Sequence, residues 1–443
     1  MPSVYFSSKP TAMGLSPLSL SFFLILFHFH STLSSSSPPP LCAHHQSLSL
    51  LQFKQSFSIL NTSREDQYPK TESWKEGTDC CFWDGVTCDL HSGLVTGLDL
   101  SSSMLYGTLH SNNSLFSLHH LRKLDLSSNY FTRHISSRFD QLSNLTHLNL
   151  SSSQFEGQVP SEISHLSKLV SLDLSKNSFA SLESISFDKI VRNLTKLREL
   201  DLSYADMSLV VPDSLMNLSS SLSSLRLRYC GLQGKLPSSM GKLKHLRYLD
   251  LGSNSFTGSI PYDFEQLTEL VSLDLSRNTH LSPEPVSLYK IVQNLTKLRD
   301  LALDSIDMSL VAPNSLTNLS SSLSSLSLRG CGLQGEFSGN IFLLPNLESL
   351  ILYDNEGLTG SFPSSNFSNV LSVLALSDTR ISLYLENDLI SNLKSLGVML
   401  LRNISIIRSD LTLLGNLTQL YSLDLSNNNL SGQIPSSSLK NLV

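Results

Sequence analysis

Leu121-Arg122-Lys123-Leu124-Asp125-Leu126-Ser127-Ser128-Asn129 is the stretch that decides the fold. The spacing Leu-x-x-Leu-x-Leu-x-x-Asn returns at Leu169, Leu172, Leu174 and Asn177, at Leu246, Leu249, Leu251 and Asn254, and at Leu420, Leu423, Leu425 and Asn428. Weaker copies begin near Val95, Leu145, Leu197, Leu222, Leu270, Leu298, Leu323, Leu347, Leu371 and Leu396, which makes fourteen with a period near 24 residues. Alternating Leu-x-Leu puts the leucines on one face of a strand and the intervening residues on the other. A unit this short cannot bury its leucines alone, so successive units must stack. Fourteen strands at ~4.8 Å build a parallel inner sheet roughly 60 Å long. The ninth-position Asn can satisfy backbone groups at the bend after the strand, where an unpaired amide is costly. Cys230 and Cys331 occupy that position. They read as buried thiols filling the Asn slot, not as nucleophiles or ligands.

Composition sets limits on function. The 443 residues carry a net charge of −6, and 15% are charged. That balance gives no field for steering phosphates, so nucleic acid is excluded as a partner. The adjacent pairs His44-His45 and His119-His120 sit in no metal or triad spacing. The chain therefore reads as a non-enzyme that needs no metal or cofactor. The apolar run from Leu15 to Phe29 and the Ser/Pro stretch to Pro40 predict a secretory signal peptide and linker over residues 1–41. An uncleaved anchor is the rival reading, and Met13 is a second possible start. Four of the six cysteines, Cys42, Cys80, Cys81 and Cys88, lie close to the signal segment. An oxidising compartment favours two disulfides among them over a zinc site. Four cysteines allow three pairings, and spacing does not choose among them.

Many repeats continue as Gly-x-Ile-Pro or a close variant, as at 157–160, 234–237, 258–261, 360–363 and 432–435. With that turn the chain resembles the plant extracellular leucine-rich-repeat class. The early segment strengthens the resemblance. Leu48 to Phe53 has helical apolar spacing, and Cys80-Cys81-Phe82-Trp83-Asp84-Gly85-Val86-Thr87-Cys88 follows it. Together they resemble the N-terminal cap of plant receptor-like kinases, receptor-like proteins and polygalacturonase inhibitors, most closely the receptor-like proteins of the tomato Cf resistance class. The resemblance implies an α/β solenoid: a right-handed leucine-rich-repeat superhelix with a parallel inner β-sheet, a second sheet on one flank and a disulfide-bonded cap. It implies a cap over residues 42–92, with Trp83 covering the open end, and about fourteen repeats over 93–443, incomplete at the C-terminus. The family usually continues into a C-terminal cysteine cap, a membrane helix and a short tail, whereas this chain stops at Val443 as a repeat begins. An extracellular location, secreted or at the plasma membrane with the anchor outside this chain, is the corresponding expectation.

Residues 169–253 recur at 270–354 with an offset of 101. From 205 to 225 against 306 to 326, 4 of 21 positions differ. At the twelve positions read as solvent-facing on the strands (199, 201, 203, 204, 224, 226, 228, 229, 248, 250, 252 and 253), 10 differ. Drift or uneven copying is one account. Retuning of a recognition surface is the other, and the unchanged outer flank favours it. The middle position of Leu-x-Leu runs Asp125, Asn149, Asp173, Asp201, Arg226, Asp250, Asp274, Ala302. Those carboxylates read either as framework, bonding nearby Ser and backbone groups, or as part of a binding face centred on Tyr204, Arg226, Arg228, Tyr229 and Tyr248, with Arg329 and Tyr353 in the second copy. Arg and Tyr are the types enriched at interface hot spots.

Glycan acceptors Asn-x-Ser/Thr occur at Asn61, Asn112, Asn144, Asn193, Asn217, Asn294, Asn318, Asn366, Asn403, Asn416 and Asn429. Many lie just before strands, where glycans would shield the outer side. Asn149 also fits the motif but falls on the inner face and is not expected to carry one. Longer repeats at 178–191 and 279–292 predict short back-face helices, using Ile185, Ile190, Val191 and Leu194 in the first. The functional expectation is a ligand-recognition ectodomain of a receptor-like protein in plant defence. Its partners would be a protein or peptide of pathogen origin and a co-receptor kinase. A secreted inhibitor of microbial wall-degrading enzymes is the alternative.

Overall fold

The computed structural model describes residues 42–60, 67–316, 319–337, 339–363 and 370–430. The signal segment, the acceptors Asn61, Asn318 and Asn366, and the turn at 432–435 lie outside the described residues. Fourteen parallel strands, from Val95–Asp99 to Ser422–Asp424, follow one another in chain order in one sheet. A fifteenth, Val86–Cys88, joins antiparallel at its head. Leucine lies on leucine: Leu124 faces Leu98 and Leu148, and Leu148 faces Leu172. All four are buried. Full burial of one leucine contributes about 1.5–3 kcal/mol. Most repeats return along the back through a one-turn 3-10 helix, such as Ser161–His165, Ser238–Lys242 or Tyr262–Gln266, which buries Ile163, Met240 or Phe264. Pro160, Pro237 and Pro261 stand at the N-caps of these three, which accounts for the Pro of the turn motif.

The Asn slot is a ladder of buried amides. Asn177 Nδ2 donates to Leu150 O and Leu174 O, both at 2.9 Å, while its Oδ1 accepts from Ser153 N and Phe155 N at 3.1 Å. One side chain thus satisfies four backbone groups across two repeats. Cys230 and Cys331 keep the donor half of this function, with Sγ 3.3 Å from Leu202 O and 3.1 Å from Leu303 O. Burial pushes both thiols up to about 12, so neither ionises to a nucleophile at physiological pH. The residue just before the slot is left-handed in repeat after repeat, as at Ser128 (φ 56°), Lys176 (φ 56°), Arg277 (φ 60°) and Asn427 (φ 55°).

The flank sheet is present, and among the described residues it falls into four pieces. Arg133, at φ 72°, holds the glycine place at the first break, where a single bridge joins His134 to Glu156. Leu209 and Leu310 hold it at the other two, 72% and 81% exposed, in the same repeat of each duplicated copy.

The cap closes both sheets. Val86–Cys88 covers the inner edge, and Ser58–Ile59 pairs antiparallel with Leu105–Thr108 on the flank. Disulfides join Cys42 to Cys80 and Cys81 to Cys88, which uses the four sulfurs that a zinc site would need. The helix His44–Gln55 buries Leu50 and Phe53, while Leu48 stays exposed. Trp83 is buried as expected, and it stacks on Trp74 with centroids 5.5 Å apart. On the back, the helix Ser184–Asn193 buries Ile190 and Val191 but leaves Ile185 69% exposed, because Phe187 takes the core position instead.

Asn177→Ala strands two carbonyls and two amides, and should cost about 3 kcal/mol or more in denaturant unfolding. Asn177→Cys, copying positions 230 and 331, should recover part of that loss. Replacing Cys42 and Cys80 together by Ser opens a loop whose ends are 38 residues apart. The expected loss is about 3–4 kcal/mol, with hydrogen exchange rising first in the helix His44–Gln55.

Candidate functional site

Each repeat presents on the sheet the residues that the leucines do not use. The middle-position acids serve the framework first: Asp125, Asp173, Asp201 and Asp274 accept the backbone N–H two residues on, at 2.8–2.9 Å. Asn149 does the same for Ser151 and donates to Asp125 at 3.1 Å. Both ends of its amide are therefore occupied. The acids also repel one another. Burial raises the Asp173 carboxyl above the ordinary carboxylate range, and Asp201 and Asp125 add to the rise. Asp250 is raised by burial as well.

Arg226 interrupts this column, directly between Asp201 and Asp250. Its guanidinium lies 5.8 Å from the Tyr248 ring centroid. Tyr204 and Tyr229 pack against each other with centroids 5.5 Å apart, and Tyr229 is 64% exposed. Both tyrosines occupy the left-handed bend, at φ 71° and 57°. Bulky side chains are disfavoured there, and the second copy uses Ser305 and Gly330 at the same places. A hollow of about 380 Å³ opens beside the pair, lined by Ser178, Asp206 and Ser255 among others. Arg228 turns inward and forms ion pairs with Asp250, at 3.5 Å, and with Asp274. Burial disfavours its charge, but the two carboxylates outweigh burial and raise its pKa. Gly252 makes this possible, since a Cβ there would stand 2.7 Å from Arg228 Nη1. In the second copy Tyr353 replaces that glycine. Arg329 instead lies 4.5 Å over the Tyr353 ring and pairs with Asp354 at 3.2 Å.

Tyr204 with Tyr229 and Arg226 with Tyr248 therefore form two pairs on three neighbouring strands, while Arg228 is spent on its two carboxylates. Arg329 and Tyr353 form a separate pair. Of the twelve positions taken as solvent-facing, Ser203, Ser224 and Gly252 are buried. Small residues there are covered by larger neighbours, and eight of the remaining nine differ between the copies. A second hollow, about 540 Å³, went unread in the sequence; Arg122, Lys123, Asp125 and His147 line it. Lys123 and His147 begin their strands, and that column carries no consensus to draw the eye. Burial lowers the His147 pKa, and Lys123 lowers it further.

Residues 213–440, just over half the chain, match a family described as "Leucine-rich repeat region"; 119–179 match "Leucine rich repeat", and 43–89 match "Leucine rich repeat N-terminal domain". The chain is a leucine-rich-repeat protein. It is 35% identical over 401 residues to Receptor-like protein 6 of Arabidopsis thaliana, covering 85% of this chain and 30% of that one. It is 42% identical over 246 residues to Receptor-like protein Cf-9 of Solanum pimpinellifolium, covering 52% and 28%. This leucine-rich-repeat protein thus spans less than a third of the length of these curated relatives. Among solved structures it is similar to the Arabidopsis receptor kinase HAESA ectodomain in complex with an N-terminally extended IDA peptide hormone. The identity is 29%, the TM-score 0.68, and the match covers 89% of this chain and 68% of that one. The same receptor with IDA and the co-receptor SERK1 matches at 28% identity and TM-score 0.68, covering 90% and 69%. Among the described residues, no helix of the leucine-rich-repeat protein is long and apolar enough to cross a membrane.

Several acceptor asparagines close the back-face helices: Asn193, Asn217, Asn294 and Asn416 are the last residues of theirs and are exposed. Asn112, Asn403 and Asn429 are exposed too. Asn144 is tied into the framework, donating to His119 O at 2.8 Å and accepting from Lys168 at 2.6 Å.

The raised Asp173 carboxyl gives a signed prediction. A carboxyl whose folded pKa lies above its unfolded value favours the fold when protonated, and that contribution is lost as pH rises through the folded value. Asp173→Asn should therefore raise the melting temperature at neutral pH. The gain should vanish below about pH 4, where the unfolded carboxyl is also protonated. Asn149 already makes the required backbone bond from the same position.

Proposed function

We propose that this chain is the ligand-recognising extracellular part of a receptor-like protein acting in plant defence, and that it grips a peptide or protein with the inner face of its sheet. One observation carries the reading. The exposed Tyr204, Arg226, Tyr229 and Tyr248 cluster lies where the two duplicated units differ, while the flank between them is nearly unchanged. Two of these tyrosines sit on a bend that the second copy fills with Ser and Gly. The similarity to receptor-like proteins favours a receptor over an inhibitor of wall-degrading enzymes. The HAESA complex with a peptide hormone and a co-receptor supports a ligand of peptide class and a co-receptor kinase as second partner, and we propose that the peptide is of pathogen origin.

The test exchanges the centre for its own duplicate: Arg226→Ser with Tyr229→Gly installs the residues found at positions 327 and 330. The chain is used to pan a random dodecapeptide library, and selected peptides are titrated against both forms. The expected result is a double variant that melts at or above the wild-type temperature and loses the peptides about a hundredfold, as for hot-spot truncation. Unchanged peptide affinity removes this centre.

A further inference from the structure

The sheet face changes character along its length. From Val95–Asp99 to Ser272–Asp274 the last strand residue is Asp or Asn at every strand but one. It serves the framework by accepting the amide two residues on. Asp424 resumes that function at the far end, taking Ser426 N at 2.9 Å. Between these, five consecutive strands end in Ala302, Ser327, Ile351, Ala375 and Leu400. Three of the amides that lose their usual acceptor turn to side chains of the preceding repeat: Asp304 N to Ser276, Arg329 N to Asp304 and Arg402 N to Ser377. The leucine framework did not require these changes, since the first copy carries Asp201 and Asp250 where this stretch has Ala302 and Ile351.

The replaced positions make an apolar platform. Ile351, Ala375 and Leu400 lie side by side in register, and Val373 and Val398 adjoin them in the neighbouring column. Ile351, Leu400 and both valines are only half-buried. The platform is three strands wide, about 10 Å between its outer strands, which suits one or two side chains and not a broad protein surface. A polar rim borders it: Arg329 with Asp354 at 3.2 Å and Arg402 with Asp378 at 3.9 Å. An apolar centre inside a charged rim is the anatomy of a binding hot spot.

We infer that this platform is an apolar subsite for a hydrophobic side chain of an extended peptide, whose polar part lies over Arg226 and Tyr248. The inference rests on the sheet-face reading above and adds the ligand's chemistry to it. Ile351 is five strands from Arg226 and Leu400 is seven. At ~4.8 Å per strand and ~3.3 Å per extended residue, the apolar residue stands about seven to ten residues from the one at Arg226.

The test restores the repeat's own residue. Ile351→Asp with Leu400→Asp places at two strand ends the acceptor that Asp250 and Asp274 already supply elsewhere, so the variant should fold with the wild-type circular dichroism spectrum, melting somewhat lower because the new carboxylate at 400 faces Asp424. Dodecapeptides selected on the wild-type chain are titrated against this variant and against Arg226→Ser/Tyr229→Gly. The expected result is a selected set that shares one apolar residue, loses about ten- to hundredfold affinity on the Asp variant, and regains it on Ile351→Val/Leu400→Val. Peptides weakened by the Arg226 variant and not by the Asp variant overturn the subsite and leave the sheet-face reading standing. Peptides indifferent to both, or no selected peptides at all, overturn both. A wild-type dimer that the Asp variant splits makes the platform a self-contact and likewise overturns the subsite.

Discussion

No single turn of this chain can bury its own leucines. Each coil offers one apolar edge to the coil before it and one to the coil after, so the structure stands on leucine meeting leucine across strands about 4.8 Å apart. The register follows from that contact, since a slip by one residue would carry Leu124 and its partners to the solvent face. The backbone bend must then be satisfied inside the core, and the ladder from Asn129 to Asn428 does this with one carboxamide per coil wherever Asn is kept.

This arrangement separates maintenance from recognition residue by residue. Leucines and slot residues face inward and vary little between the duplicated units. The residues between them carry lighter duties, such as one backbone hydrogen bond from the strand-end acid, and change more readily. Gly252 and Tyr353 mark the contrast: beside the glycine an arginine crosses to two carboxylates, whereas beside the tyrosine the equivalent arginine rests on the ring and pairs elsewhere. The loss of the carboxylates goes with it, since Ile351 and Ala375 stand at the strand ends where Arg228 finds Asp250 and Asp274, so the charge presented over three strands differs.

The repeat was legible because its spacing encodes both burial and register. Every leucine motif corresponds to a strand, and the Cys230 and Cys331 slots read correctly because position alone defines them. Other features depend on contacts between residues far apart in sequence. Trp74 reaches Trp83 only through the cap fold. The disulfide pairing follows from where the helix His44–Gln55 sets Cys42, not from spacing. The breaks in the flank sheet were in principle readable, since Arg133, Leu209 and Leu310 visibly replace the turn glycine. The burial of Ser203, Ser224 and Gly252 was not, because it depends on the size of neighbours one coil away. Arg226 and Arg228 look alike in sequence, and only their geometry separates an outward guanidinium from one spent on an internal ion pair.

The antiparallel strands that the cap lays over both sheets have a consequence for assembly. A stack of parallel coils offers its next coil a ready template, and another molecule's coil fits that template as well as its own. Val86–Cys88 and Ser58–Ile59 run the wrong way to be extended in kind, so another molecule's coil cannot add at that end in the parallel register of the repeats. At high local concentration, that mismatch works against one molecule's repeats continuing the stack of another through its head.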